Sequence, residues 1–445
     1  MWARLTNPVT LSCLLLSLSN ATAAQAVAAQ YDEVIGFDQA IERTLEENPA
    51  LVAIGYQVEA QRGRIQQSKL RPSPELDVSV ENAIGTGVYS GLDSAEVSIS
   101  VAWVLERGKR ERRIDAARAG GALLQSNIEI SRLDAAAETG RLYLQCLANQ
   151  IELRQTEEAV RLAQDAVAAV RKRVKAGRVP AADLARAEVE LSRVRLNRDD
   201  LRYELSASHR RLAAQWGDIQ PTFASVTGGI PALPTPDSYA SLLARIDQNP
   251  KLEFYLSEKR LRQAQLRLAE SRAKPDWRIS AGVRQLQQTN DQALMAGITI
   301  PLATRNRNQG RIAELQADMA VTDANRTATR IQIETQLFSL YQDLQYNLQR
   351  ARVLTNEILP RVETALTETK RAYELGRYAY FEFRNSQADV LLARTAVINA
   401  TLDAHRNVIE IEGRLCFFVG NIMRVGLQVA FLILEMAFFP LCMAN

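Results

Sequence analysis

Residues 97–103 read VSISVAW, with Val97, Ile99, Val101 and Trp103 alternating with Ser98, Ser100 and Ala102. A period of two over such a run predicts a strand with one apolar face. Just upstream, Leu76, Val78 and Val80 alternate with Asp77, Ser79 and Glu81, and the segment between, NAIGTGVYSGLDS (82–94), reads as a glycine-rich hairpin loop. The pattern returns late in the chain. Trp277, Ile279, Ala281 and Val283 face one way, and Leu294, Ala296, Ile298 and Ile300 form the partner across the polar loop QLQQTND (285–291). Each run is about as long as a transmembrane β-strand. Four strands cannot close a barrel, which needs about eight, and open edges are not tolerated in lipid. Either these are small soluble sheets, or several chains each lend four strands to one barrel.

The strand pairs belong to an internal duplication. Asn48-Pro49 recurs as Asn249-Pro250, and Pro74 in SPELDVSV falls on Pro275 in KPDWRISA, both 201 positions on. SISVAW from Ser98 sits opposite GITIPL from Gly297, and Arg113-Ile114 opposite Arg311-Ile312. Gly177-Arg178 returns as Gly376-Arg377, 199 positions on. A period near 200 is too long for a solenoid and marks a duplicated domain-sized unit. The expected organisation is a first repeat over 35–216, a linker over 217–237 rich in proline and glycine, and a second repeat over 238–415.

Between the strands lie long helices. Ala, Arg, Leu, Glu and Gln dominate these stretches, and there is no proline between Pro74 and Pro180. A helix is expected from about Phe37 to Leu70, broken at Asn48-Pro49. Another is expected from about Glu106 to Ala176, on the order of 100 Å long. Gly177 and Pro180 end it, and a return helix follows from about Ala181 to Trp216. The second half repeats the plan from about Gln309 to Leu375, with Pro360 as a kink, and returns from about Phe381 to Leu415. The return helices carry heptads. Leu184, Leu191, Leu205 and Leu212 run beside Ala187, Val194, Leu201 and Ser208; Phe383, Val390, Val397, Ala404 and Ile411 run beside Ser386, Ala393 and Ala400. That seam is the coiled-coil signal, although ordinary amphipathic bundle helices would also show it.

The N-terminus reads as an export signal over 1–28. Arg4 supplies the positive start, Val9–Leu18 the short apolar run, and Ala21–Ala23 and Ala26–Ala28 the small-residue cleavage candidates. Export favours the shared barrel over soluble sheets. Cys13 lies inside the apolar run and does not read as a lipid-anchored cysteine. Of Cys13, Cys146, Cys416 and Cys442, only Cys146 falls in the body, so no disulfide framework is expected. The last stretch, 416–445, is abruptly apolar, and Val425–Met443 nearly reaches spanning length despite Gln428 and Glu435. It reads as a membrane anchor, a buried terminal segment or, favoured by the abruptness, the product of a shifted reading frame.

Composition narrows the function. Lys plus Arg number 54 against 51 Asp plus Glu, too even for a nucleic-acid binder. The basic run LERGKRERRIDAAR (105–118) is placed instead where strand passes into helix, at a membrane–water boundary, with TRNRNQGR (304–311) as its counterpart. Enzymatic chemistry is not expected. The only histidines, His209 and His405, lie on the heptad helices, and no phosphate loop, nucleophile elbow or ligand cluster occurs.

The export signal, duplicated halves, strand pairs, long helical hairpins and glycine turns together resemble the TolC-type outer-membrane efflux channel family, over about Ile35 to Leu415. TIPLATRNRNQGRIAE (299–314) and KPDWRISAGVR (274–284) are most similar to its CzcC-type branch, the outer-membrane partners of heavy-metal resistance pumps. The resemblance implies a mainly α fold with β. Three chains would share a 12-stranded barrel in the outer membrane and an α-helical tunnel through the periplasm. It implies a homotrimer in outer-membrane lipid, working with a periplasmic adaptor and a proton-driven RND-type pump, with no nucleic acid and no cofactor or resident metal. The cargo would be divalent metal ions. A drug or type I protein-secretion duct of the same fold, or a non-pore periplasmic coiled-coil scaffold, are the alternatives.

It also implies roles for particular residues. Gly177, Arg178, Gly376 and Arg377 would form the hairpin tips where the adaptor docks, although a tight helix–helix turn needs such a glycine in any case. Asp183 and Glu382 each lie six residues past their glycine. Glu382 matches a family acidic position that rings the closed tunnel mouth and meets cations; Asn385 matches a second such position but is not acidic. Either carboxylate would also complement the dipole of the helix it starts. Tyr378, with Tyr373 and Tyr380, crowds the same tip, where family gates are held shut by hydrogen bonds and salt bridges between hairpins.

Overall fold

The computed structural model describes residues 33–229, 232–302 and 308–415. The export signal over 1–28, the first half of the basic counterpart at 304–311 and the apolar tail at 416–445 lie outside the described residues. β1 is Glu33–Ile35, α1 Phe37–Glu47, α2 Pro49–Ser68, β2 Glu75–Glu81 and β3 Glu96–Leu105. The 67-residue α3 (Lys109–Lys175) and α4 (Ala181–Ala213) complete the first half. β4 (Phe223–Val226) and α5 (Tyr239–Ala244) lead into α6 (Pro250–Arg272), β5 (Trp277–Leu286) and β6 (Asp291–Thr299). α7 (Gln309–Val353), α8 (Leu359–Glu374) and α9 (Tyr380–Leu415) finish the chain. These bounds match the expected elements to within a few residues. The expected kink is a single π-helical segment, Leu354–Ile358, placed just before Pro360, which lacks the N–H to continue an α-helical ladder.

The described residues divide into two compact units, each drawing on both sequence halves. One takes the chain up to Val52, then Ser131–Asp247, then from Ile333 onward; the other is Ala53–Ile130 and Gln248–Gln332. The core of the first gathers Ile35, Tyr143, Leu147, Leu212, Trp216, Phe223, Ile398 and Leu402. Tyr143 meets Phe37 edge to face at 5.2 Å and donates from its hydroxyl to the Thr227 carbonyl at 2.6 Å. Cys146 is free and buried here, its thiol pKa pushed up to about 11 by burial. His405 is also buried, with Nε2 2.7 Å from the Ala232 carbonyl, and burial lowers its pKa. Both side chains are core components.

A parallel pair in this unit was not expected. β1 lies beside β4, with Ile35 opposite Val226. Part of the segment read as linker over 217–237 is therefore a strand. Its proline and glycine content hid FASV, whose Phe223 and Val226 are buried in the core.

The second unit contains the sheet. The two expected hairpins are one continuous antiparallel sheet, β2-β3-β5-β6, because β3 and β5 pair along their whole length from Glu96↔Leu286 to Leu105↔Trp277. The second hairpin turn is tighter than QLQQTND, since β5 runs on to Leu286 and β6 begins at Asp291. Register puts Leu76, Val101, Ala281 and Ala296 in one row, and Val78, Ile99, Val283 and Leu294 in the next. One face is therefore apolar almost throughout. It is also exposed: Leu294 by 90%, Leu76 by 69% and Ile298 by 60%. A soluble sheet would bury this face, and contiguous apolar exposure on this scale marks contact with a membrane or a partner.

The opposite face carries Glu75, Asp77, Glu81, Glu96 and Asp291, with Arg278 and Arg284 among them. Arg278 pairs with Glu75 at 2.7 Å, and Arg284 with Glu96 at 2.9 Å and Glu81 at 3.6 Å. Carboxylates outnumber guanidiniums on this face by three.

Candidate gate at the hairpin tips

Both tips close in the same way. Gly177 has φ +66° and Gly376 has φ +72°. The Gly177 N–H donates to the Val174 carbonyl at 2.9 Å, and Arg178 N–H to Arg173 at 3.0 Å. Gly376 N–H donates to Tyr373 at 3.0 Å, and Arg377 N–H to Ala372 at 2.9 Å. This is the Schellman arrangement, in which a left-handed residue after the helix satisfies its last carbonyls. A Cβ at either glycine would meet nothing within 4 Å, so the left-handed backbone alone selects glycine.

The two tips are packed together. Val167, Val170, Ala187, Tyr373 and Tyr380 form a buried cluster joined by Leu184, Leu191 and Phe383 from the heptad seams. Tyr373 stacks on Phe383, centroids 5.2 Å apart and 3° between planes. Arg173, at the end of α3, reaches the end of α8. Its guanidinium lies 4.1 Å from the Tyr373 ring centroid and donates to the carbonyls of Tyr373 at 3.1 Å and Glu374 at 3.5 Å. A cation there satisfies the last carbonyls of α8 and complements its dipole. Arg384 of α9 pairs with Glu190 of α4 at 2.8 Å, both side chains mostly covered. Burial first, then the Glu190 charge and the Tyr373 hydroxyl, raises the Tyr380 pKa, so that phenol stays protonated.

The expected site residues distribute unevenly around this clasp. Asp183 begins α4 half-buried, 3.5 Å from Arg186, with its N–H on the Pro180 carbonyl at 3.1 Å. Glu382 sits in the first turn of α9 and is exposed. Asn385 is half-buried, its side-chain oxygen 3.4 Å from Arg384 Nη1. Tyr378, Arg178 and Arg377 point outward, Tyr378 being 52% exposed. Among the described residues no hydrogen bond or ion pair joins Asp183 to Glu382.

Arg173, Glu190 and Arg384 were missed in the sequence. The available signal was the repeat itself: Arg173 and Tyr373 lie 200 positions apart, almost the repeat spacing, so near-equivalent positions of the two hairpins meet. Chemically the tip of this chain offers exposed charge at Arg178, Arg377 and Glu382 and a set of polar links between the two hairpins. Among the described residues no group of three or more His, Cys, Asp or Glu could hold a metal.

Residues 40–218 match the family described as outer membrane efflux protein. The chain is 27% identical over 369 residues to the Cobalt-zinc-cadmium resistance protein CzcC of Cupriavidus metallidurans, covering 82% of this chain and 86% of that one. It is 26% identical over 275 residues to the Nickel and cobalt resistance protein CnrC of the same organism, covering 61% and 65%. Among solved structures, CusC superposes with a TM-score of 0.70 at 15% identity, over 86% of this chain and 93% of that one. VceC from Vibrio cholerae gives 0.69 at 17% identity, over 85% and 95%. Identities this low speak for the fold alone.

Proposed function

We propose, for a chain that belongs to the outer membrane efflux protein family and has its TolC-like channel fold, that three copies form a passive exit duct for divalent heavy-metal cations. The family is one of channels, not of enzymes, and its members reside in the outer membrane. The carrying observation is the sheet: apolar and exposed on one face, charged on the other, open at both edges β2 and β6. Three such sheets joined edge to edge supply twelve strands, enough for a barrel with a channel. The 10-residue strands β3 and β5, tilted by roughly 40°, give an apolar band about 25 Å tall, the height of an outer-membrane barrel wall.

The cargo reading rests on two supports. The relatives CzcC and CnrC are named for resistance to cobalt, zinc, cadmium and nickel. The polar sheet face, which becomes the lumen, has an excess of three carboxylates per chain, favouring cations over anions. The duct holds no energy source, so an inner-membrane proton-coupled pump and a periplasmic adaptor complete the assembly. The adaptor meets the tips at Gly177, Arg178, Gly376 and Arg377. Deleting the gene should lower the growth-limiting concentrations of zinc, cobalt and cadmium severalfold and leave those of common antibiotics unchanged. Sensitivity to antibiotics alone would turn the reading to a drug duct. A soluble, non-conducting protein would turn it to a scaffold.

Glu382 is assigned to a three-fold ring at the tunnel mouth, with Asp183 and Asn385 beside it and Tyr378 at its rim. Glu382→Ala removes three exposed charges from one constriction and should reduce the cation-to-anion permeability ratio severalfold in planar bilayers. A ratio equal to that of the parent channel would remove Glu382 from the mouth.

A further inference from the structure

The basic run after β3 has no part in the duct described so far. In the structure it builds a groove. Arg113 donates to the Ser68 carbonyl at 3.1 Å and the Leu70 carbonyl at 2.7 Å, and pairs with Glu106 at 2.7 Å. Arg110 donates to the Lys69 carbonyl at 2.6 Å. These two side chains satisfy the last carbonyls of α2 and cancel the negative end of its dipole. Beside them opens a cavity of about 550 Å³ lined by Arg64, Gln67, Arg71, Pro72 and Arg113. Arg64 and Arg71 are exposed, and among the described residues neither has a carboxylate partner. The positive charge that remains in the groove is theirs.

The groove lies at a definite level of the sheet. Arg71 precedes β2 by four residues, and the apolar face begins at Leu76. Trp103 and Trp277 end that face on the helix side, where Arg107 lies 4.9 Å over the Trp277 ring. Aromatic girdles of this kind mark the interface between hydrocarbon and headgroups. We propose that Arg64 and Arg71 hold the phosphate of a phospholipid headgroup from the membrane leaflet into which the helix-side end of the sheet projects. The acyl chains would then lie along the exposed rows of Leu76 and Val78. The proposal rests on the reading of this sheet as a barrel wall.

The test uses the full chain, purified as its detergent-solubilised assembly. Lipid retention is read by native mass spectrometry with phosphatidylglycerol, with diacylglycerol, and with inorganic phosphate as competitor. Each basic side chain at a lipid surface contributes about fivefold in binding, so R64Q/R71Q should retain phosphatidylglycerol roughly 25-fold more weakly than the parent. R161Q/R202Q, which removes two exposed guanidiniums from the helical hairpin, should retain it as the parent does. Diacylglycerol should not be held, and millimolar phosphate should not displace the phospholipid. Equal retention by R64Q/R71Q and the parent overturns the groove, and so does displacement by free phosphate, which would make it a solute anion site. Conductance in planar bilayers separates the two failures. A parent chain that does not insert sinks the barrel reading, whereas insertion with unchanged retention in the variant sinks only the lipid site.

Discussion

Gly282→Ala, a single added methyl, should abolish most assembly of the proposed trimer. Gly282 lies opposite Ser100 on the β3–β5 seam, the pairing that joins the two halves of the sheet. A Cβ built there would be 2.4 Å from the Ile99 carbonyl oxygen, 2.6 Å from Ser100 Cβ and 2.8 Å from Ser100 Cα. Ordinary cross-strand Cβ atoms stand about 4.5–5.5 Å apart. Two of the three atoms met are backbone, so no rotamer change relieves the clash; the strands must separate. Overpacking of this kind costs roughly 1–3 kcal/mol per site, and in the proposed three-chain barrel every copy incurs it. Gly297→Ala is the control. Its Cβ would meet only Ser280 Oγ, at 2.8 Å, and that hydroxyl can rotate away. Unheated gels should show the trimer band retained for Gly297→Ala and largely lost for Gly282→Ala. Equal trimer yield from both would mean that the seam is looser than the structure has it.

Which features were legible in the sequence follows from their range. Strands and helices are written in local periodicity, and VSISVAW gave the alternation of β3 directly. The seam between β3 and β5 was not legible, because it joins residues some 180 positions apart and neither hairpin carries a mark of its neighbour. β1 and β4 are too short to show a period, and prolines and glycines around FASV pointed to a loop. Pro360 announced a kink but not its form, since the π segment depends on how the preceding carbonyls are re-paired. At the tips the glycines were legible because their left-handed backbone is a local demand. Asn385 stands out only through family resemblance, Glu382 also through its offset from the tip glycine, and the structure leaves Glu382 exposed without linking it to Asp183. The clasp of Arg173, Tyr373, Glu190 and Arg384 spans both repeats. Apart from Tyr373, its members look like ordinary helix-surface residues until the hairpins are laid side by side.

That clasp yields the second large effect: read as the latch of a gate at the proposed tunnel mouth, it predicts that Arg173→Ala raises single-channel conductance severalfold and admits large antibiotics. Arg173 acts on Tyr373 in two ways. It covers the ring, a cation–π contact of about 0.5–1 kcal/mol where water has access. It also donates to two carbonyls at the end of α8, bonds strengthened by its charge. Together these are worth about 2 kcal/mol, or roughly a 30-fold shift in the balance between closed and open tips. Arg173→Lys keeps a charge but loses the planar fork that both stacks and donates twice, so it should fall between the two. Tyr373→Phe separates the ring from its hydroxyl. That hydroxyl is buried with no hydrogen-bond partner among the described residues, so removing it leaves the stack on Phe383 and the cation contact intact. This variant should conduct no more than the parent. Arg384→Gln, which breaks the link to Glu190, should add to the effect of Arg173→Ala, because the two contacts hold different helix pairs. If Arg173→Ala assembles as a trimer and conducts as the parent does, the contact is only packing, and the closed state is held by links between chains.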